Sequence, residues 1–247
     1  MNKKFGSLGR AILFYIILIL IVISTILLWH IAIIAYILVI ILAYIFKRYE
    51  HEKFRWGHDN TIGIFLGFVL IFGIFLIEFI FGWIKINGLH PQATSILLSG
   101  LILEILVAMG EEISFRGYIL PNIEKDIGLQ GAIVLSSIMF SFIHIPSMIL
   151  LDISLLNALI MLTTIMLAGV LVALCYLYNG LKMAIGFHFA WNFFQYHVFS
   201  LREDFGILDL SVARPIITGG NSGPEAGVLG LIMMLIGLEV ITWWGNK

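Results

Sequence analysis

Two adjacent carboxylates stand in the segment VAMGEEISFRGYIL, residues 107–120. Arg116 follows Glu112 by four residues, and on a helix this spacing places the guanidinium beside the carboxylate. Glu111 points about 100° around the helix, away from that pair. A carboxylate in an apolar, partly dry site is a better proton acceptor than one in water, as a general base must be. Glu111 is therefore a candidate base and Glu112 a fixed anion, with a boundary ion pair as the structural alternative.

A second polar position lies in SSIMFSFIHIP, residues 136–146. Phe140 and His144 are four residues apart, which predicts that they share one helix face. Ser137 and Ser141 precede His144 by seven and three residues and are expected on the same stripe. A histidine in an apolar helix is also compatible with a simple hydrogen bond to a neighbouring helix.

A third polar stripe lies in AIGFHFAWNFFQ, residues 184–195. His188, Asn192 and Gln195 recur at helical spacing, which predicts that the three side chains face one place. In a bilayer that place must be the bundle interior or a water-filled cavity, unless the stripe is only an interhelical hydrogen-bond seam. Taken together, the three segments supply a base, proton carriers and hydrogen-bond donors for an oxyanion, which are the groups that hydrolysis needs.

The composition shows in which solvent these groups must work. Of the 247 residues, 61% are hydrophobic and only 12% are charged, whereas soluble domains carry about 25% charged residues. No soluble core covers so much apolar surface, so we expect an all-α polytopic membrane bundle, a single domain over residues 1–247. The net charge of −1 argues against a nucleic-acid partner. The lone Cys175 excludes a disulfide framework.

Segment lengths and basic residues predict the topology. The apolar run from Ala11 to Phe46 is compatible with one over-long helix or two short ones. Basic residues flank it on both sides, and basic loops stay cytoplasmic, so we expect two helices with a tight turn near Trp29. Residues 201–225 are expected to form an external connector or a gate. Eight spans are expected, near residues 11–28, 31–46, 62–83, 93–119, 130–150, 153–178, 182–200 and 226–244.

This topology places both termini in the cytoplasm. Eleven of the 14 Lys and Arg residues then lie inside or at the inner boundary, and Lys85, Arg202 and Arg214 lie outside. The Ile-rich composition is typical of an AT-rich bacterial genome, so we expect a bacterial cell membrane. Among further acidic residues within spans, Glu104 precedes Glu111 by seven and either lines the same cavity or lies at an interface.

The motifs resemble those of the CAAX-prenyl protease and bacteriocin-processing family, also called CPBP or Abi membrane proteins. That family carries EExxxR, FxxxH and HxxxN/D motifs in this order. Here they read Glu111 to Arg116, Phe140 to His144 and His188 to Asn192, each without substitution. The resemblance covers roughly residues 93–200, the motif-bearing core, and the ordered set is more specific than any one motif.

The resemblance implies an eight-helix, glutamate-type intramembrane peptidase. By the family pattern Glu111 would activate the attacking water, with His144 helping to hold it. His188 and Asn192 would stabilise the oxyanion. The expected catalytic set is completed by two residues that would orient and brace the site, Glu112 and Arg116.

The expected function is an endopeptidase that cuts a membrane-associated peptide or protein near the cytoplasmic face. No metal or other cofactor is expected, because HExxH is absent and the family resemblance implies a metal-free site. A zinc ion held by the two histidines and a glutamate is the mechanistic alternative. A non-catalytic immunity or scaffold protein of the same family is the functional alternative. A small proton-coupled transporter fits less well, since no inverted repeat is visible. The sequence predicts neither the substrate nor the oligomeric state.

Overall fold

The structure, a computed structural model, describes residues 6–27, 32–150, 153–202 and 206–247. Lipid offers no hydrogen bonds to a peptide backbone, so apolar segments of this length fold as helices. The helices are α1 (Ser7–Leu27), α2 (Ala32–Tyr49), α3 (Thr61–Ile80), α4 (Ala93–Ser114), α5 (Leu120–Phe142), α6 (Ile145–Leu150), α7 (Leu155–Asn179), α8 (Leu181–Asn192), α9 (Pro215–Thr218) and α10 (Val228–Gly245). π-helical turns extend α4 and α8 over Phe115–Ile119 and Phe193–Val198.

The all-α membrane bundle is confirmed, and the chain is an integral membrane protein by its apolar helices. One small element was not predicted: strands β1 (Ile84–Leu89) and β2 (Leu208–Val212) pair antiparallel. Short 3-10 turns follow at Gly220–Ser222 and Pro224–Ala226. The residues predicted as an external loop therefore contain a strand and three short helical turns.

Five helical stretches in the described part of the chain are long and apolar enough to span a membrane. They are Ser7–Ser24, Thr61–Ile80, Ala93–Leu150, Leu155–Asn179 and Val228–Gly245. The third of these, 58 residues in length, is far longer than the roughly 20 residues that one crossing needs. Eight spans therefore stay a prediction.

The long stretch folds back on itself at Gly128. This glycine has φ +77° and ψ 168°, a left-handed conformation that interrupts the helix. The rings of Phe115 and Phe140 lie 5.1 Å apart, although they stand on opposite sides of the turn. The predicted break at residues 120–129 is therefore mostly helical, and the chain reverses at Gly128 alone. The predicted span 130–150 is itself broken, because α5 ends at Phe142 and α6 begins at Ile145.

Helices α1 and α2 form an antiparallel pair, as predicted. The rings of Phe14 and Phe46 are 5.4 Å apart, and Arg10 Nε lies 2.9 Å from Glu50 Oε1. The predicted turn near Trp29 lies outside the described residues. Most large apolar side chains on the outer faces of these two helices are exposed, as expected for surfaces that face lipid.

A charged cluster ties together one end of the bundle, here named the basic end. Glu50 accepts hydrogen bonds from Arg10 and from the Tyr118 hydroxyl, and Lys47 and Lys125 both pair with Glu52. Partial burial raises the pKa of Glu52, but the bonds from Lys125 and Lys47 outweigh it and leave that pKa below its ordinary value. The cluster connects α1 and the end of α2 to the segment that leads into the Gly128 turn.

Both described ends of the chain lie at the basic end. The Leu8 amide donates to Asp126, two residues before the Gly128 turn. At the other terminus, Gly245 packs on the ring of Tyr178, whose neighbour Leu177 accepts a hydrogen bond from Arg55. The β1–β2 sheet lies at the opposite end, here named the loop end. This geometry is the one that a topology with both termini cytoplasmic requires, and the membrane side itself stays a prediction.

Helices α3 and α8 make the most extensive helix–helix contact of the described chain. Gly63 and Gly67 of α3 form a GxxxG pair that allows the two backbones to approach closely. A Cβ at Gly63 would lie 2.1 Å from the Met183 carbonyl oxygen, and one at Gly67 would lie 2.6 Å from the Phe187 carbonyl oxygen. The glycines therefore set the position of α8, which carries the third motif.

Replacement of Gly63 by alanine tests this contact. The added methyl meets backbone that does not yield easily, so we expect a loss of roughly 1–3 kcal/mol in the free energy of unfolding. The measurement is thermal unfolding of purified protein in detergent. Gly88→Ala in β1 is the matched control, because a Cβ there meets open space. Equal melting temperatures for the two variants would contradict the close approach.

Candidate active site

Glu112 and Arg116 form a buried ion pair at the end of α4. Arg116 Nη1 lies 2.9 Å from Glu112 Oε2 and 3.1 Å from Oε1, across one helical turn. The Glu112 side chain is 0% exposed and that of Arg116 is 2% exposed. The predicted i,i+4 pairing of these two residues is therefore present. It lies buried inside the bundle.

Arg116 makes two further contacts that fix its side chain. Nη2 donates a 2.7 Å hydrogen bond to the carbonyl oxygen of Gly169 in α7. The guanidinium lies 4.5 Å from the centroid of the Phe140 ring, a cation–π distance. Gly169 itself packs against Ser137, where any Cβ would come within 2.9 Å of that side chain. One arginine thus joins α4, α5 and α7 at the depth of the ion pair.

His188 connects a further helix, α8, to the Glu112–Arg116 pair. Its Nδ1 lies 2.7 Å from Glu112 Oε1. A carboxylate bonded to a guanidinium accepts hydrogen bonds, so Nδ1 carries the shared proton. The other ring nitrogen, Nε2, lies 3.9 Å from Glu111 Oε2. The imidazole therefore stands between the two adjacent carboxylates, with Nδ1 on one and Nε2 facing the other.

Glu111 is held from the opposite side by α2. The Tyr36 hydroxyl lies 3.3 Å from Glu111 Oε1 and donates to it. Gly110 makes this approach possible, because a Cβ there would lie 2.8 Å from the Tyr36 ring. Glu111 Oε2 is buried and has no hydrogen-bond partner within the described residues. One oxygen is oriented by tyrosine, and the other is enclosed without a hydrogen bond from the described residues.

His144 stands where α5 ends. Its Nδ1 lies 2.9 Å from the Phe140 carbonyl oxygen, which can only accept, so Nδ1 is the donor and Nε2 is left for another group. The rings of Phe140 and His144 meet edge to face at 5.3 Å, and Phe140 also contacts the His188 ring at 6.2 Å. The phenylalanine of the second motif thus packs between the two histidines and the arginine.

Asn192 is engaged by a third carboxylate. Its Nδ2 donates a 3.0 Å hydrogen bond to Glu104 Oε2. The other oxygen of Glu104 lies 3.1 Å from His197 Nε2. Of the two locations left open for Glu104, the cavity is the correct one.

A single cavity of about 250 Å³ joins these groups. Four of the six predicted site residues line it, while Glu112 and Arg116 lie behind its wall. Its apolar surface comes mainly from α7 and α8. The polar lining residues are Tyr36, Glu104, Glu111, His144, Ser147, His188, Asn192, Tyr196, Arg202 and Glu225.

One detail of the predicted stripes is wrong. Gln195 does not line the cavity beside His188 and Asn192, because the π turn that begins at Phe193 changes the helical register. Its Nε2 instead donates to Glu225 Oε2 at 2.7 Å. Ser141, expected on the His144 stripe, donates to the Leu162 carbonyl oxygen of α7.

Sequence patterns also missed five polar residues that line the cavity, namely Tyr36, Ser147, Tyr196, Arg202 and Glu225. Tyr36 lies in an apolar helix without a motif, and Arg202 and Glu225 lie in the segment predicted as a connector. Glu225 accepts hydrogen bonds from Trp191 Nε1 and from Gln195, so it fastens the loop end onto α8. Gly110, directly before Glu111, is the one sequence signal for Tyr36, because a glycine there permits a close neighbour.

The donor set does not favour a metal ion. Across the described residues, no group of three or more His, Cys, Asp and Glu side chains has the arrangement of a metal site. Glu112 is already paired with Arg116 and His188, which leaves Glu111, His188 Nε2 and His144 Nε2 as the donors that a metal ion would need. A catalytic zinc takes three protein ligands. The absence of a metal stays a prediction.

Comparison with known proteins gives one family match. A family model described as type II CAAX prenyl endopeptidase, Rce1-like, matches residues 91–194. The match covers all three motifs and the helices that carry them, and the predicted family resemblance is confirmed. A search among curated proteins finds no match.

The buried ion pair predicts a strong and specific effect on stability. Arg116→Met leaves the Glu112 charge in the bundle without its guanidinium, so we expect a loss of about 3–5 kcal/mol in the free energy of unfolding. The double variant Glu112→Leu/Arg116→Met removes both charges and should recover part of that loss. Thermal unfolding in detergent measures both. A single variant as stable as the wild type, or a double variant no better than the single, would contradict the pairing.

Proposed function

We propose that this chain, similar to the type II CAAX prenyl endopeptidases over the segment that carries its site, is an intramembrane endopeptidase. The family match supports a CAAX-type protease, and the finer proposal is that Glu111 activates water for direct attack on a peptide bond. The observation that carries it is the placement of Glu111, His144, His188 and Asn192 around one cavity.

The reaction begins with a water molecule held by Glu111 and His144. Glu111 takes a proton from the water as the oxygen attacks the scissile carbonyl carbon. Tyr36 keeps the carboxylate oriented through one oxygen, so the unbonded Oε2 is the proton acceptor. His144 contributes Nε2, because Nδ1 is bound to the Phe140 carbonyl. A base positioned in this way contributes about 10²–10⁴-fold to the rate.

Hydrogen-bond donors of α8 stabilise the negative charge that develops on the carbonyl oxygen. His188 Nε2 and Asn192 Nδ2 lie one helical turn apart and supply the donors. With Nδ1 donating to Glu112, a donating Nε2 makes the ring an imidazolium, and Glu112 and Glu111 balance its charge. One such donor is worth about 3 kcal/mol. The proton held by Glu111 then passes to the leaving amine as the carbon–nitrogen bond breaks.

The substrate is proposed to be a membrane-associated peptide or protein. Apolar side chains such as Met161, Ile165 and Val172 of α7 wall the cavity, which suits a lipidated or apolar segment. His188 lies seven residues from the start of α8 at the basic end, a rise of about 10 Å. With the basic end cytoplasmic, cleavage would take place in the cytoplasmic half of the membrane. A prenylated C-terminus, a bacteriocin leader and a membrane-anchored regulator all fit this description.

Glu111→Gln is the direct test of the chemistry. It keeps the size and the Tyr36 hydrogen bond but removes the base, so cleavage should fall by about 10²–10⁴-fold. The assay is hydrolysis of a fluorogenic farnesylated CAAX peptide in proteoliposomes, with peptidomics of a deletion strain complemented by wild type or Glu111→Gln. Glu78→Gln is the matched control, since Glu78 is a buried carboxylate of α3 outside the cavity.

A binding-only immunity or scaffold role gives the opposite outcome. In that case the Glu111→Gln protein would restore the deletion phenotype as fully as the wild type, and the membrane peptides of the two strains would agree. That result would overturn the peptidase proposal.

Chelation tests the metal-free mechanism. EDTA and 1,10-phenanthroline should leave the rate of peptide hydrolysis unchanged, because the proposed base and donors are all side chains. A known zinc peptidase assayed in the same proteoliposomes is the positive control. Loss of activity that added zinc restores would show that the two histidines and a glutamate hold a metal.

A further inference from the structure

Glu104 lies on the cavity face of α4, seven residues and about two helical turns before Glu111. It is only 4% exposed, deep in the bundle. Both of its oxygens are used: Oε2 accepts from Asn192 Nδ2 at 3.0 Å, and Oε1 lies 3.1 Å from His197 Nε2. Burial of a carboxylate in a membrane bundle is energetically unfavourable, so a buried carboxylate is a candidate functional residue. Glu104 belongs to none of the three motifs, and its two partners are Asn192 and His197.

The local backbone of α8 is shaped for this contact. Residues five apart on an α-helix point about 140° away from each other. The π turn Phe193–Val198 has wider i→i+5 geometry, and it brings Asn192 and His197 to the same carboxylate. Single π turns of this kind are frequent at functional sites.

Helix α4 is also shaped for this contact. Gly100 lies against the His197 ring, where a Cβ would come within 2.4 Å of ring carbon Cγ. Glycine costs helix stability in this position, by roughly 1 kcal/mol relative to alanine. Gly100 and Glu104 are one turn apart on α4, so one residue makes room for His197 and the other binds it.

We infer that Glu104 is a positioning residue that fixes the orientation of the Asn192 amide at the active site. An asparagine amide has two nearly equivalent orientations, with nitrogen and oxygen exchanged. A carboxylate only accepts, so it selects the orientation with Nδ2 toward Glu104 and repels the one with oxygen there. The second hydrogen of Nδ2 then stays available for the oxyanion. The inference rests on the proposed function, in which Asn192 is an oxyanion donor.

His197 completes the arrangement from the other oxygen. It holds Glu104 against rotation, because a carboxylate bonded through both oxygens to two side chains of α8 has one orientation. Glu104 therefore acts on the reaction through Asn192 and does not touch the substrate carbonyl itself.

The test compares Glu104→Leu with Glu78→Leu, which removes a buried carboxylate of α3 that lies outside the cavity. For hydrolysis of the farnesylated CAAX peptide, Glu104→Leu should lower kcat by about 10- to 100-fold, within the limit set by loss of a whole oxyanion donor. KM should change little, because the donor acts on the transition state. Glu104→Gln keeps one acceptor and should fall between the wild type and Glu104→Leu. Glu78→Leu should keep the wild-type kcat.

The double variant separates positioning from general damage. If Glu104 acts only through Asn192, then Glu104→Leu has no further effect on kcat in an Asn192→Ala background. Additive losses would overturn the inference, as would a wild-type kcat in Glu104→Leu. Either result leaves the proposed function intact, provided that Glu111→Gln is inactive.

A structure of Glu104→Leu decides the inference independently of activity. A map at a resolution better than about 1.2 Å, at which amide hydrogens identify the nitrogen, should show Asn192 Nδ2 no longer directed toward position 104. An Nδ2 that still points toward position 104 would overturn the inference. Persistent cleavage by Glu111→Gln would overturn the proposed function only, and the orientation of the Asn192 amide would still test the role of Glu104.

Discussion

The centre of the site is organised by one buried charge, the carboxylate of Glu112. Because this carboxylate is removed from water and enclosed by apolar helices, it needs an opposite charge and hydrogen-bond donors in direct contact. Arg116 supplies the opposite charge at 2.9 Å and His188 a hydrogen bond at 2.7 Å. Arg116 also binds the Gly169 carbonyl of α7. The contacts that compensate the Glu112 charge therefore connect α4, α7 and α8 around the cavity.

This constraint divides the work between two neighbouring glutamates. Glu112 is surrounded by cationic and hydrogen-bonding partners and faces away from the cavity, so it braces the site. Glu111, about 100° around the same helix, lines the cavity with one oxygen bound to Tyr36 and the other unbonded. Adjacent residues of identical chemistry thus acquire different roles because the helix turns them into different surroundings.

Much of the site followed from the sequence, because helical spacing alone pairs Glu112 with Arg116 and aligns His188 with Asn192. The position of Gln195 was wrong, since a π turn depends on packing that periodicity does not contain. The β1–β2 pair joins strands more than 100 residues apart, and Tyr36 comes from a helix without a motif. Such contacts are set by the tertiary fold. Their only signal in the sequence is a small residue at the point of close approach, such as Gly110 beside Tyr36 or Gly100 beside His197.

The most direct measurement is a structure of the Glu111→Gln protein in nanodiscs with an uncleaved farnesylated CAAX peptide bound, at a resolution that shows ordered water. The account predicts the scissile carbonyl carbon beside a water held by residue 111 and His144. It also predicts the carbonyl oxygen directed at His188 Nε2 and Asn192 Nδ2. A peptide bound outside the cavity, or a carbonyl oxygen directed away from α8, would contradict the account.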